Sequence, residues 1–215
     1  MDIYVRLSGG SAEEAFGSAR AVGADAGFAV DADLVTGVGP AIVSALDELG
    51  PVFVAAVVSG SPVIVGATLA RLSRFGATWV TVAASAGSEA VGAAVAAVAG
   101  TGCRVAVHTI PVGLDEAAVG SLTGSTRGRL VSRLATVAAA AGAAAVVCAV
   151  PDIGVVAQVA PGLVRIVDAG ADPDGWREAS RRGAEVLVLP NPASLGAFLA
   201  DSGMVGKTRS RTRRR

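Results

Sequence analysis

Eight short valine-rich runs, each followed by a longer alanine-rich amphipathic run, set the main constraint on how this chain folds. The short runs are Ile3–Leu7, Gly27–Val30, Val52–Val58, Trp79–Ala83, Arg104–His108, Ala145–Ala149, Leu163–Val167 and Glu185–Leu189. They are apolar continuously rather than alternately, the pattern of parallel strands covered on both faces. The longer runs carry helix signals. Ser11-Ala12-Glu13-Glu14 places a capping residue before acids of a first turn. Pro40, Pro62, Pro111, Pro151, Pro173 and Pro192 follow strand runs, where a loop or first helical turn belongs. Gly50, Gly76, Gly100, Gly102, Gly142 and Gly183 stand just before the next run, as helix C-caps do. Eight strand-helix units with no break in composition predict one α/β domain, a (β/α)8 TIM barrel over residues 1–202. An open doubly wound sheet is the runner-up. Five or six strands would be usual there, and no Gly-x-Gly-x-x-Gly follows the first strand, where Gly9-Gly10 reads only as a turn.

The boundary near Gly203 is a change in charge. The 215 residues sum to a formal net charge of zero, but residues 206–215 contain Lys207, Arg209, Arg211, Arg213, Arg214 and Arg215 and no acid. The remaining body sets 12 arginines against 18 acids, a net of −6. Residues 203–215 are therefore expected to form a basic, disordered tail, which reads either as a polyanion-binding arm or as a solvated terminus. Lys207 is the one lysine of the chain, so the body has no lysine for chemistry.

The apolar content, 52% of residues, excludes a disordered protein. Two cysteines, Cys103 and Cys148, exclude a disulfide scaffold and read as buried thiols. No secretory leader is read in MDIYVRLSGG. Residues 49–70 and 134–151 are uncharged, but Ser59-Gly60-Ser61-Pro62 interrupts the first, and Gly142 and Pro151 break the second. Both fit strand-turn-helix better than a membrane span. A cytoplasmic protein is expected.

In such a barrel, function collects at the C-terminal ends of the strands. The polar residues there are Ser8, Asp31, Asp33, Ser59, Ser61, Ser85, His108, Thr109, Asp152, Asp168 and Asn191. Asp31 and Asp33 suit either a ribose-like hydroxyl or the cap of the next helix. His108, the sole histidine, suits a ligand contact or a structural hydrogen bond. One histidine and scattered acids predict no transition-metal site. Arg181-Arg182 read as a helix end that complements the dipole.

The order of segments resembles the orotidine 5′-monophosphate decarboxylase family, ribulose-phosphate-binding (β/α)8 barrels, over nearly all of residues 2–200. LVTGVGPAIVSALDELGPVFV (34–54) is similar to its second helix and third strand, and LARLSRFGATWVTV (69–82) to the helix and strand that follow. CRVAVHTIPVGLDEAAV resembles the fifth strand and its T-x-L-T-S-L-D continuation, RLATVAAAAGAAAVVCAV the strand reading G-V-V-C-S, and RRGAEVLVLPNP the closing G-A-D-x-L-V-V-G-R-P. The resemblance implies a place in pyrimidine metabolism and a dimer formed through the catalytic face. It also implies cofactor-free decarboxylation of a sugar-phosphate pyrimidine. A lysine between aspartates, in D-x-K-x-x-D at the end of strand three, protonates the carbanion.

The chain departs from the family at those positions. The motif falls on Ala55-Ala56-Val57-Val58-Ser59-Gly60, so its first aspartate is Ala55, its lysine Val57 and its last aspartate Gly60. No ionisable residue lies between Glu48 and Arg71. The aspartate after strand one falls on Ser8, the second-strand lysine on Ala29, the histidine after strand four on Ala83, and the phosphate-gripping arginine after strand eight on Asn191. Asp168 and Asp172 flank Gly170 in the loop that meets phosphate in the family, where acids would repel it.

The expectation is a divergent, catalytically inactive decarboxylase-like barrel with no catalytic residues and no cofactor. It would pair with itself or a related barrel, as a partner or regulatory subunit. The alternative is an enzyme or binder of a different small metabolite, phosphorylated or not, with Ser8, Asp31, His108, Asp168 and Asn191 as ligand-binding candidates. A third reading makes the tail a nucleic-acid-binding arm.

Overall fold

The computed structural model describes residues 1–7 and 9–201. Ser8 and the expected tail lie outside the described residues. The eight strands are β1 (Asp2–Leu7), β2 (Gly27–Val30), β3 (Val52–Val58), β4 (Trp79–Ala83), β5 (Arg104–His108), β6 (Ala145–Cys148), β7 (Val164–Asp168) and β8 (Val186–Leu189). They pair in sequence order, all in parallel, and β1 closes on β8, with Ile3 opposite Leu187 and Val5 opposite Leu189. The fold is the (β/α)8 barrel that the eight-fold pattern predicts.

The outer layer contains α1 (Ala12–Val22), α2 (Ala32–Val38), α3 (Ala41–Asp47), α4 (Pro62–Ser73), α5 (Ser88–Val98), α6 (Glu116–Thr123), α7 (Arg127–Ala140), α8 (Ile153–Val159), α9 (Pro173–Arg181) and α10 (Pro192–Asp201). Local chemistry starts them where the sequence places them. The Ser11 hydroxyl accepts from Glu14 N at the head of α1, and Pro62, Pro173 and Pro192 open α4, α9 and α10. Gly76, Gly142 and Gly183 have positive φ between a helix and the next strand, as expected. Gly50 does not. It serves close approach instead, since a Cβ there would stand 3.2 Å from Cε2 of Phe28.

Side-chain alternation makes two cores. Val5, Leu7, Val54, Val80, Val107 and Leu187 point outward and pack under the helices. Tyr4, Phe53, Trp79, Ile166 and Val186 point inward and fill the barrel. Tyr4 and Phe53 meet edge to face with centroids 5.9 Å apart, and the Arg104 guanidinium stacks 3.7 Å from the Trp79 ring centroid. Gly27 makes room for this packing. A Cβ there would lie 2.6 Å from both Tyr4 Cε1 and the Pro51 carbonyl oxygen. Toward the strand ends the interior residues become small: Ala29, Ala55, Ala83, Ala106 and Ala149. No described helix is long and apolar enough to cross a membrane.

Candidate functional site at the barrel mouth

The alternation that buries Tyr4 also turns Arg6 into the barrel, one level nearer the mouth. Above the alanine floor its guanidinium lies between two carboxylates. Nη1 donates to Asp31 Oδ2 at 2.9 Å and Nη2 to Asp168 Oδ2 at 2.6 Å. The cluster joins β1 to the ends of β2 and β7. All three side chains remain about one-third exposed, at 30%, 34% and 26%.

Asp31 occupies the N-cap position of α2, yet its side chain makes no capping bond. Its carboxylate turns inward to Arg6. Burial pushes the Asp31 pKa above its ordinary value, Arg6 works against this, and Asp168 adds to it. Asp168 Oδ1 also accepts from Gly170 N at 3.3 Å. His108, at the end of β5, is largely buried. Burial lowers its pKa below 6.5, while the Asp168 carboxylate pulls the other way. The imidazole is therefore neutral at pH 7.

Asn191 has a different environment. Its side-chain oxygen accepts from both N and Oγ of Ser194, at 3.0 Å each, in the first turn of α10. Asp172 caps α9 by accepting from Asp174 N at 3.1 Å. Ser8 lies outside the described residues. The mouth thus gathers Asp31, His108 and Asp168 and leaves Asn191 at a helix start. Arg6 is absent from the strand-end candidates, because it sits one residue inside its strand. Its parity with Tyr4 is the signal that would have identified it.

At the motif positions of strand three, pairing with β4 slips between Val54 and Val58. Val57 is 43% exposed there, on a rim that also carries Val63 and Ile64 at 80% and 58%. Val57 therefore does not plug the barrel. Among the described residues no three His, Cys, Asp or Glu side chains form a group that could hold a metal. Cys103 and Cys148 are buried, and burial pushes their pKa values to about 11 and about 12.

A cavity of about 320 Å³ opens beside the cluster, between the loops that follow β5, β6 and β7. Asp168 forms part of its wall, with Val112, Leu114, Val150 and Pro151. Arg127, another lining residue missed at the sequence level, holds these loops together. It donates from Nε and Nη2 to the two oxygens of Asp152, at 2.9 and 2.6 Å, and from Nη1 to the Leu114 carbonyl. Asp152 is buried, with 4% of its side chain exposed. Three larger hollows, two of about 430 Å³ between α3 and α4 and between α9 and α10 and one of about 380 Å³ under the starts of β5 and β6, lie elsewhere. All three lie away from the C-terminal strand ends where polar groups converge, so the mouth is the better candidate site.

No family model matches the chain. It is 36% identical over 190 residues to the orotidine 5′-phosphate decarboxylase of Anaeromyxobacter sp. strain K, covering 81% of this chain and 82% of that protein. It is 30% identical over 223 residues to the same-named protein of Paramagnetospirillum magneticum, with 93% and 94% covered. The orotidine 5′-phosphate decarboxylase structure from Lactobacillus acidophilus superposes with a TM-score of 0.83 at 18% identity, covering 95% of this chain and 99% of that one. An uncharacterized conserved protein from Geobacillus kaustophilus superposes with a TM-score of 0.79 at 23% identity, with 93% and 98% covered.

Proposed function

This chain belongs to the orotidine 5′-phosphate decarboxylase family, and we propose that it is a non-decarboxylating member of it. One observation carries the reading: the cation held between the mouth carboxylates Asp31 and Asp168 is the arginine Arg6, and the neighbouring cation, paired with Asp152, is again an arginine, Arg127. The resemblance calls for a lysine in a carboxylate array as proton donor. Here strand three offers Ala55, Val57 and Gly60. Arg6 does have aspartates on both sides, but a guanidinium stays protonated at any working pH and gives up no proton. A positioned general acid contributes roughly 10²–10⁴-fold, and electrostatic preorganisation usually more. Losing the acid, the strand-three carboxylates and the phosphate-gripping arginine together removes the family's chemistry.

The accompanying role is that of a partner or regulatory barrel. The exposed Val57, Val63 and Ile64 rim supports pairing with a second copy or a related barrel through this face. A cytoplasmic location is part of the same reading, as is the tail as a separate basic segment. A second reading, a binding site for a different small metabolite, is favoured by the Arg6–Asp31–Asp168 cluster and the cavity next to it.

The test is turnover of orotidine 5′-monophosphate by purified protein against a buffer control. No turnover is expected. Turnover above the buffer control that survives Lys207→Ala overturns the proposal.

A further inference from the structure

We propose that the cavity beside Asp168 binds a small primary-ammonium compound with an apolar body, an inference that rests on the small-molecule reading above. The cavity, about 320 Å³, is near the lower end of small-ligand pockets, which span roughly 300–1,000 Å³. Its walls at Val112, Leu114, Val150 and Pro151 are apolar and suit a hydrocarbon body. Its polar side is negative. Asp168 and Asp115 both line it, and the cation on its wall, Arg127, is already committed to the Asp152 carboxylate and the Leu114 carbonyl.

Asp168 is held in place for such a ligand. Arg6, which does not line the cavity, fixes Oδ2 at 2.6 Å, while Oδ1 receives only the 3.3 Å contact from Gly170 N. A carboxylate oxygen accepts more than one hydrogen bond, so Oδ1 retains capacity. Asp115 spends Oδ1 on Ala118 N at the start of α6 and has Oδ2 left. His108 is neutral and adds no positive charge. A ligand carboxylate or phosphate would meet two carboxylates and a guanidinium already in use. A neutral alcohol would leave the negative wall uncompensated. An ammonium on an apolar body satisfies both sides of the cavity.

The chain has a single histidine, and His108 is within electrostatic reach of Asp168. Its Cε1–H proton line, observed by NMR on untagged protein at fixed ionic strength, reports on this site. The probes are cyclohexylammonium, cyclohexanol, cyclohexanecarboxylate, inorganic phosphate and uridine 5′-monophosphate. Cyclohexylammonium is expected to shift the line saturably and to bind at least about tenfold tighter than cyclohexanol, with the anions silent. Asp168→Asn should weaken it at least about tenfold, and the exposed Asp115→Asn about threefold. The second variant tests the assignment even if the first fails to fold. Saturable binding of an anion or of cyclohexanol with the amine silent overturns the ammonium assignment and leaves the small-molecule reading standing. Silence of every probe overturns both. Amine binding that both variants leave unchanged shows that it occurs elsewhere and overturns the assignment.

Discussion

Arg6 and Asp168 meet across the barrel mouth at 2.6 Å, joining the first strand to the seventh over 162 residues of sequence. The same guanidinium reaches Asp31 on the second strand. A closed barrel makes this contact short-range, because β1 lies beside β8 and β8 beside β7.

Arg6→Ala should destabilise the fold by about 1–2 kcal/mol at pH 7, a figure kept modest because the cluster is about one-third exposed. The lost cation leaves two carboxylates facing each other. Urea denaturation checks this. Adding Asp31→Asn and Asp168→Asn to Arg6→Ala should recover most of the loss.

Asp31→Asn alone should be neutral or stabilising at pH 7, by no more than about 1 kcal/mol. Burial raises the pKa of Asp31 in the folded state above its unfolded value. The folded protein therefore holds that proton more tightly than the unfolded chain. The resulting stability is present at low pH and lost as pH rises through the folded pKa. The advantage of the Asn variant should grow over that same range. Denaturation midpoints across pH 3–7 measure it, and a variant clearly weaker at pH 7 would contradict the electrostatic account.

His108 should titrate below the ordinary histidine value of 6.5, since burial disfavours its cation. Its contribution to stability is present above the unfolded pKa and lost as pH falls from there through the lower folded pKa. In Asp168→Asn the midpoint should drop further, because that carboxylate supports the charged form. The single Cε1–H line gives both midpoints directly. An upward shift in the variant would show that Asp168 does not act on His108.

Arg127→Ala should cost about 3 kcal/mol by urea denaturation, since it strands Asp152 as a buried, unpaired carboxylate. Arg127→Met combined with Asp152→Leu should cost much less, because no charge is left unpaired.

Gly27→Ala should destabilise by about 2 kcal/mol or more, as the new methyl would meet a backbone oxygen that cannot move aside. Tyr4→Leu in the same chain should relieve only part of that loss, because the Pro51 contact remains.

The strands were legible because the signal is local. A parallel strand covered on both faces needs a continuous apolar run, and each run lands on an observed strand within a residue or two. Val52–Val58, Trp79–Ala83 and Arg104–His108 coincide fully. Asp31, His108 and Asp168 were legible as site candidates because they end strands. Arg6 was not, since an arginine inside a short strand reads as surface until Tyr4 fixes which parity faces inward. Asp31 was open between a ribose-like hydroxyl and the cap of the next helix, and its pairing with Arg6 was not legible for the same reason: that partner lies on another strand. Asn191 was expected as a ligand-binding candidate, but Ser194 three residues later engages its side chain at a helix start.

The sequence by itself determined the eight-fold alternation, the strand-end residues and the uncharged strand-three segment from Leu49 to Ala70. Each depends on neighbours within a few positions. Only the tertiary structure decided that a new cation stands at the mouth, that Asp31 and Asp168 share it, and that Arg127 closes over Asp152. These are interactions between charges from different strands and loops. Coulomb and hydrogen-bond energies depend on separations of a few ångströms, which closing the barrel sets and a linear pattern does not contain.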